Sequence, residues 1–197
     1  KIKKSKIFFK NIFFPKSKLN FAENLLPKNN NEKAITFLSE NGFREERSWK
    51  RLNMNVSKIF YFLKKIGIKK GDRIAAYMPN TIETVEAFIA SVGQGAIWSS
   101  CSPDFGIKGV EERFVQIKPK VLFVTNIYLY NGKKINVIER VPKILEKIPS
   151  IKHVVVINYP GQNINKNYSF KKVKTKKWDE LLKSKFLKIN YKKFDFE

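Results

Sequence analysis

The chain has 197 residues, of which 43% are hydrophobic, and it carries a formal net charge of +23. This apolar content excludes wholesale disorder, and the single cysteine, Cys101, excludes a disulfide framework and a cysteine-based zinc cluster. No apolar run reaches the roughly 18 residues that a transmembrane helix needs, so we expect a cytoplasmic protein without a membrane partner.

The positive charge supports one alternative hypothesis, a small basic protein that binds nucleic acid. However, only six of the 40 basic residues are Arg, and the Lys residues are spread along the chain among many Asn and Ile. Proteins that read phosphates or bases favour Arg, because the guanidinium group binds in a bidentate manner. We therefore expect no nucleic-acid partner and interpret the Lys-rich stretch 171–177 as a solvated surface.

The first 67 residues predict a short helix, a hairpin and a long helix. Residues 19–26 form the short helix, and two strands at 34–38 and 42–47 enclose an Asn-Gly turn, which is a hairpin signal. Ser48 is the predicted N-cap of the long helix, whose apolar residues recur at helical spacing until Gly67.

Strands and helices then alternate as far as Ile157. The predicted strands are 73–78, 96–98, 121–124 and 154–157, and the predicted helices are 82–92, 107–117, 137–148 and a short one at 178–182. Asn80, with Glu83 three residues later, predicts a capping box for the first of these helices. The alternation predicts an α/β fold in which part of a parallel sheet is flanked by helices, and the continuous apolar strands indicate that both faces are covered.

Two segments follow predicted strands at the edge where ligands bind in such sheets. Ser99–Gly106 offers hydroxyls, a thiol and backbone N–H groups before a helix, although Ser102 or Asp104 equally fits an ordinary helix cap. The second segment is Asn126–Lys134. The thiol of Cys101 and the imidazole of His153 are the groups that form a Cys–His nucleophile pair. No third residue that would orient the imidazole is evident, so we expect no such pair.

The segment Gly95–Gly106 reads Gly-Ala-Ile-Trp-Ser-Ser-Cys-Ser-Pro-Asp-Phe-Gly and resembles the signature of the acetoacetate–CoA ligase family. Agreement extends over about residues 13–160 in one register. It includes Phe14-Pro15, residues 19–26, Gly71-Asp72-Arg73, residues 76–80, Arg113-Phe114, Asn131-Gly132-Lys133 and residues 153–156.

This family belongs to the adenylate-forming superfamily, so the resemblance implies activation of a carboxylate by Mg-ATP and transfer of the acyl group to CoA. The implied cofactors of the complete enzyme are ATP, CoA and Mg²⁺, and the implied acid is acetoacetate, with another short-chain acid as the alternative. The resemblance also implies a division of the chain: residues 1–30 resemble the N-terminal region of acetyl-CoA synthetases, and 31–197 resemble the N-terminal part of the AMP-binding domain, truncated.

Three residues match positions near CoA in related acetyl-CoA synthetases. Ser100 and Cys101 match a turn beside the pantetheine arm, where small side chains leave room. Lys133 matches a basic residue near the 3′-phosphate, although the relatives have arginines around the glycine where this chain has Tyr130 and Lys133. The resemblance assigns no catalytic residue and no metal ligand to this chain.

The superfamily's Gly-rich phosphate loop ending in Lys does not occur in the sequence, nor do the adenine and ribose motifs or the adenylating lysine. We therefore expect an N-terminal fragment that has no ligase activity alone and binds none of these cofactors tightly. A regulatory or decoy subdomain that binds CoA without chemistry is a third hypothesis.

Overall fold

The computed structural model describes residues 2–162 and 166–195. The strands are β1 (Ile2–Lys3), β2 (Ile12–Phe13), β3 (Lys18–Leu19), β4 (Lys33–Leu38), β5 (Arg44–Ser48), β6 (Arg73–Tyr77), β7 (Ile97–Cys101), β8 (Val121–Thr125), β9 (Ile127–Tyr130), β10 (Lys133–Asn136), β11 (His153–Ile157), β12 (Lys174–Lys177) and β13 (Phe194–Asp195). The α-helices are α1 (Phe21–Leu25), α2 (Trp49–Lys65), α3 (Ile82–Gly93), α4 (Ile107–Ile117), α5 (Val141–Lys147) and α6 (Trp178–Leu182), with 3₁₀ turns at Phe8–Lys10 and Ile138–Arg140. Within the described ranges, no helix has the length and apolar character needed to span a bilayer.

A five-stranded parallel sheet in the order β12-β11-β8-β6-β7 organises the molecule. In the inner strand β6, Ala76 lies opposite Ser100 of the edge strand β7 on one side and Phe123 of β8 on the other. The predicted α/β fold with a helix-flanked parallel sheet is confirmed.

Each face of the sheet has its own hydrophobic core, because successive side chains of a strand point to opposite faces. On one face, Ala76 and Phe123 pack in a cluster with α2, α3 and α6. On the other, Tyr77 and Leu122 pack in a cluster with α4 and α5. Burial on both faces explains why β6, β8 and β11 are apolar runs rather than alternating patterns.

The hairpin and the long helix before the sheet agree with the sequence pattern. β4 and β5 pair antiparallel around the Asn-Gly turn, where Gly42 adopts a φ of 81°. Ser48 caps α2, since its hydroxyl accepts a hydrogen bond of 3.2 Å from the Arg51 N–H. The short helix α1 is also present, with Asn20 as its N-cap.

The structure corrects the prediction at β7. This strand extends from Ile97 to Cys101, so Ser99, Ser100 and Cys101 belong to the strand and the turn begins only at Ser102. The expectation of a buried strand here is wrong as well, because Ile97 is 54% exposed. β7 ends the sheet, and among the described residues no strand pairs with its outer edge.

The N-caps that the sequence predicted for α3 and α4 are both wrong. α3 has Thr81 rather than Asn80 at its N-cap, so the spacing to Glu83 is one residue too short for a capping box. The Thr81 N–H and the Thr84 hydroxyl instead donate to the Pro79 carbonyl, at 2.8 Å and 2.6 Å. α4 has Gly106 at its N-cap, so neither Ser102 nor Asp104 caps it.

The second predicted loop, Asn126–Lys134, is largely a β-hairpin formed by β9 and β10. The helix predicted at 137–148 is divided into a 3₁₀ turn and α5. Pro142 explains this division, because it occupies the first turn of α5 and has no N–H to continue a preceding helix.

Two strands near the end of the chain were not predicted. β12 lies in the Lys-rich stretch and pairs parallel with β11, with Val154 opposite Thr175. Charged side chains are tolerated there because β12 is an edge strand of the sheet. β13 pairs with β3 near the start of the chain. The division of the chain at residue 30 stays a prediction.

Candidate functional site

A cleft of about 430 Å³ lies beyond the carboxyl ends of β6 and β7, where ligands bind in open parallel sheets. Its walls come from β4 and the turn after it, from the segment after β6, from the end of β7, from β9, and from Tyr159 after β11. The lining residues are Thr36, Phe37, Leu38, Ser39, Glu40, Met78, Pro79, Asn80, Thr84, Ser100, Cys101, Ser102, Tyr128, Leu129 and Tyr159.

Ser100 and Cys101 both line this cleft, at the end of the edge strand. Ser100 is exposed, whereas Cys101 is only 3% exposed and its carbonyl accepts a hydrogen bond of 3.1 Å from the Met78 N–H. Burial raises the pKa of the Cys101 thiol, which therefore stays protonated and unreactive near neutral pH. His153 begins β11, at the opposite end of the strands from Cys101 and with two strands between β11 and β7, so the structure forms no Cys–His pair.

The turn after β7 is held by two side chains that the sequence analysis did not identify. The Tyr77 hydroxyl donates toward the carbonyls of Pro103 (3.1 Å) and Phe105 (2.5 Å). Arg140 Nη1 lies 2.7 Å from the Tyr77 hydroxyl and donates to the same two carbonyls at 2.9 Å and 3.2 Å. The sequence signal for Arg140 was an arginine in a chain whose basic residues are mostly lysine. Only a guanidinium group offers several hydrogen-bond donors in one plane.

A buried asparagine fixes the β9–β10 hairpin on the sheet. Asn126 Oδ1 accepts hydrogen bonds from the Ile127 N–H (2.8 Å) and the Tyr159 N–H (2.9 Å). Its carbonyl accepts from the Val137 N–H (3.1 Å) and the Ile138 N–H (3.0 Å). This residue therefore ties the end of β8 to the segments after β10 and β11. An Asn directly after an apolar strand was the sequence signal.

Lys133 is the first residue of β10 and is exposed. It does not line the cleft, whereas Tyr128 and Leu129 of the partner strand do. The structure therefore brings Ser100 and Cys101 together and places Lys133 on the far end of the hairpin that forms one wall.

In the part of the chain that the structure describes, no group of three or more His, Cys, Asp or Glu residues is arranged to hold a metal ion. The polar side chains that line the cleft carry hydroxyl groups, an amide, a thiol and the Glu40 carboxylate.

The model of the AMP-binding enzyme family matches residues 24–191. The chain belongs to the AMP-binding enzyme family. The cleft at the carboxyl edge of its parallel sheet thus lies within a matched domain of this family.

Characterised proteins similar to this chain include several acetoacetyl-CoA synthetases. The chain is 42% identical to that of Gallus gallus over 149 residues, which cover 75% of this chain and 22% of the relative. It is 42% identical to the acetoacetyl-coenzyme A synthetase of Rhizobium meliloti over 151 residues, covering 77% and 23%. The chain thus spans little more than a fifth of the length of these relatives.

Solved structures of acyl-CoA synthetases also superpose on this chain. The acetoacetyl-CoA synthetase from Streptomyces lividans superposes with a TM-score of 0.84 at 28% identity, over 94% of this chain and 28% of that chain. An acyl-CoA synthetase of Brucella canis superposes with a TM-score of 0.66 at 19% identity, over 91% and 30%, and shows the fold alone.

Proposed function

We propose that this chain is part of an acetoacetate–CoA ligase. In that reaction the acetoacetate carboxylate attacks the α-phosphorus of ATP, forming an acyl-adenylate and releasing diphosphate. The CoA thiol then attacks the acyl carbon, and AMP leaves. The observation that supports the proposal is the 42% identity to acetoacetyl-CoA synthetases over three quarters of the chain.

The contribution proposed for this part of the enzyme is to bind CoA. Ser100 and Cys101 line the cleft and leave room for the narrow pantetheine arm, while Lys133 supplies a point charge for the 3′-phosphate. The raised pKa of the Cys101 thiol supports this role, because a protonated buried thiol does not compete with CoA for the acyl group.

The proposal assigns neither ATP nor Mg²⁺ to residues of this chain, and we expect neither of them to bind the isolated chain tightly. As part of the same proposal, the protein works in the cytoplasm on small molecules and has no nucleic-acid or membrane partner. The predominance of Lys over Arg among the basic residues supports the absence of a nucleic-acid partner.

Another short-chain acid is the second candidate substrate. The chain is 36% identical over 151 residues to the malonamoyl-CoA synthetase vrtB of Penicillium aethiopicum, which covers 74% of this chain and 21% of the relative. Similarity at this level is close to that of the acetoacetyl-CoA synthetases, so the acid must be determined by assay.

A chimera tests the proposal. Residues 14–162 of this chain replace the matching segment of the Streptomyces lividans synthetase, and CoA thioester formation is assayed with acetoacetate, acetate, propionate and malonamate. We expect the folded chimera to form acetoacetyl-CoA, because the segment from this chain takes the place of the matching part of an acetoacetyl-CoA synthetase, and we expect the isolated chain to show no acetoacetate-dependent pyrophosphate exchange. A folded chimera that forms no thioester of acetoacetate with CoA, or turnover by the isolated chain, would contradict the proposal.

The role of Lys133 is tested in the same chimera. We expect Lys133→Ala to raise the KM for CoA about tenfold, because a charge-assisted contact contributes about 1.5 kcal/mol, and to leave the constants for ATP and acetoacetate unchanged. Lys65→Ala, an equally exposed lysine at the end of α2, is the matched control. An unchanged KM for CoA in the Lys133 variant would assign this lysine to the solvated surface.

A further inference from the structure

A second cleft, of about 510 Å³, lies at the amino ends of β11 and β12. One wall comes from α5 and the turn after it, and the other comes from residues 169–173, which lead into β12. The candidate site lies at the carboxyl ends of the strands, and the two clefts have no lining residue in common. The second cleft is therefore a separate feature of the molecule.

The floor of the second cleft is apolar and partly accessible. Leu145, Phe170 and Val173 pack against the core cluster on the α4–α5 face of the sheet, yet none of the three is fully buried. The apolar residues that line the cleft are Pro142, Leu145, Pro149, Ile151, Phe170 and Val173. A ligand that covers this surface gains free energy in proportion to the apolar area that it removes from water.

Hydrogen bonds fix the two walls before any ligand binds. The Lys174 N–H donates to the Lys152 carbonyl at 2.9 Å, which joins the turn after α5 to the start of β12. The Phe170 N–H donates to Thr175 Oγ1 at 3.4 Å and so ties the other wall to the same strand. A preformed cleft binds more tightly, because little conformational entropy is lost when the ligand enters.

The charged groups of the lining favour an anionic ligand. Lys152, Lys171 and Lys172 carry three positive charges against the one negative charge of Glu146. Lys171 and Lys172 are exposed, and neither takes part in the ion pairs found among the described residues. The apolar stem of a lysine can line a cleft while its ammonium group stays at the rim. The cleft thus combines an apolar floor with a positive rim.

The size of the cleft favours a small molecule over a peptide helix. α5 has seven residues and is therefore about 10 Å long, so a partner helix of several turns would extend well beyond it. A volume of about 510 Å³ lies within the range of about 300–1,000 Å³ that is typical of small-molecule sites. Ser169 is the one uncharged polar side chain of the lining, so the floor suits a ligand body that has no hydrogen-bonding groups.

We propose that this cleft binds a medium-chain fatty acid, whose alkyl chain lies on the apolar floor and whose carboxylate lies between Lys171 and Lys172. The site goes beyond the proposed function, because it lies at the other edge of the sheet from the cleft assigned to CoA. The bound acid is a ligand and undergoes no reaction there.

Calorimetric titration of the chain with octanoate and decanoate, both below their critical micelle concentrations and at about 0.05 M NaCl, tests the site. We expect binding to strengthen about fourfold for each added CH₂, which corresponds to about 0.8 kcal/mol, and therefore about fifteenfold from octanoate to decanoate. We expect 1-decanol, which has the same chain and no charge, to bind more weakly than decanoate.

Two sets of variants locate the ligand. Lys171→Gln combined with Lys172→Asn removes both charges, and Asn tolerates the φ of 64° at residue 172. We expect this pair to weaken decanoate binding about fivefold and to leave decanol binding unchanged. Lys192→Gln with Lys193→Gln removes two charges from another exposed pair and is the matched control. Ser169→Trp fills the cleft from an exposed position, so we expect it to weaken binding of both ligands.

Unchanged decanoate binding in Ser169→Trp, or equal losses in the two lysine-pair variants, would overturn the site. Phe8 and Phe9 are 84% and 83% exposed and offer another apolar surface. Loss of binding in Phe8→Ser with Phe9→Ser, and not in Ser169→Trp, would assign the acid to that surface instead. Binding of the chain to phosphatidylglycerol vesicles without binding of monomeric decanoate would also contradict the proposal, because the lysines would then serve a lipid surface.

Discussion

At the scale of single residues, the ionisable group with the most unusual surroundings is a buried carboxyl group beneath the β4–β5 hairpin. Glu86 of α3 is fully buried, and its Oε1 accepts a hydrogen bond of 2.9 Å from Asn55 Nδ2 of α2. Arg47 of β5 lies 2.9 Å from Glu86, 3.6 Å from Glu83 and 3.0 Å from Glu45. One guanidinium group cannot neutralise three carboxylates, so the cluster favours retention of a proton.

Burial, with the nearby charges of Glu83 and Glu45, outweighs the attraction of Arg47 and raises the pKa of Glu86 from 4.5 to about 8. Because the folded state keeps this proton while the unfolded state loses it near pH 4.5, the stabilising contribution is complete below pH 4.5 and is lost as the pH rises through about 8. The free energy of unfolding therefore decreases between these pH values, by at most about 1.4 kcal/mol per pH unit for one proton.

Glu86→Gln tests this dependence, because the amide resembles the protonated carboxyl and does not titrate. We expect urea unfolding between about pH 5 and pH 8 to show a much flatter pH dependence for Glu86→Gln than for the unmodified chain. Glu46→Gln, at an exposed carboxylate, serves as the control and retains the original slope. Equal slopes in the Glu86 variant and the unmodified chain would show that Glu86 is ionised when folded.

At the scale of secondary-structure elements, Asn20 joins three segments that are distant in sequence. Its Oδ1 accepts hydrogen bonds from the Ala22 and Glu23 N–H groups at the start of α1. Its Nδ2 donates to the Gly93 carbonyl at the end of α3 (3.0 Å) and to the Lys192 carbonyl (2.9 Å). One fully buried side chain thus caps one helix and satisfies two carbonyls elsewhere.

We expect Asn20→Ala to lower the free energy of unfolding by about 2 kcal/mol, since it removes a helix cap and leaves the buried Gly93 carbonyl without its donor. Asn11→Ala, which changes the same residue type in the exposed N-terminal hairpin, is expected to cost less than about 0.5 kcal/mol. Urea midpoints of the two variants provide the comparison, and equal stabilities would contradict this role of Asn20.

The elements that the sequence predicted correctly carry a burial pattern, a turn signal or a helix cap within their own residues. β6, β8 and β11 are apolar because both sheet faces are covered, and α2 has one apolar face and a serine cap. β12 was missed because an edge strand is held by backbone hydrogen bonds to β11, which leave no trace in its charged side chains.

The candidate site was predictable only in part, for a related reason. Ser100 and Cys101 lie at the carboxyl edge of the sheet, as predicted. The carboxyl ends of parallel strands meet at this edge whatever the exact lengths of the strands. Tyr77 and Arg140 were not predicted, and Asn126 was predicted only as part of a segment, because each contacts backbone groups distant in sequence. Such contacts depend on how loops return to the sheet, which periodicity does not determine.

At the scale of the whole molecule, two opposing forces govern association between copies of the chain. The net charge of +23 repels one copy from another over a distance that salt shortens, from about 10 Å at 0.1 M to about 3 Å at 1 M. The outer edge of β7 has no strand partner among the described residues, and Ile97 on it is 54% exposed. An unpaired edge with an exposed apolar side chain favours pairing with a second chain.

We therefore expect the isolated chain to be monomeric at about 0.05 M NaCl and to associate in a concentration-dependent manner at about 0.5 M, where the repulsion is screened. Ile97→Lys introduces a charge on the edge strand and is expected to keep the chain monomeric at high salt, as charged residues do on natural sheet edges. Val115→Lys adds the same charge at a 41% exposed position on α4, away from any strand edge, and is expected to associate like the unmodified chain. Sedimentation velocity at both salt concentrations distinguishes the three proteins.

A monomer at every protein concentration and at both salt concentrations would show that the β7 edge is protected within the chain itself. Equal effects of the two lysine substitutions would attribute the association to net charge rather than to this edge.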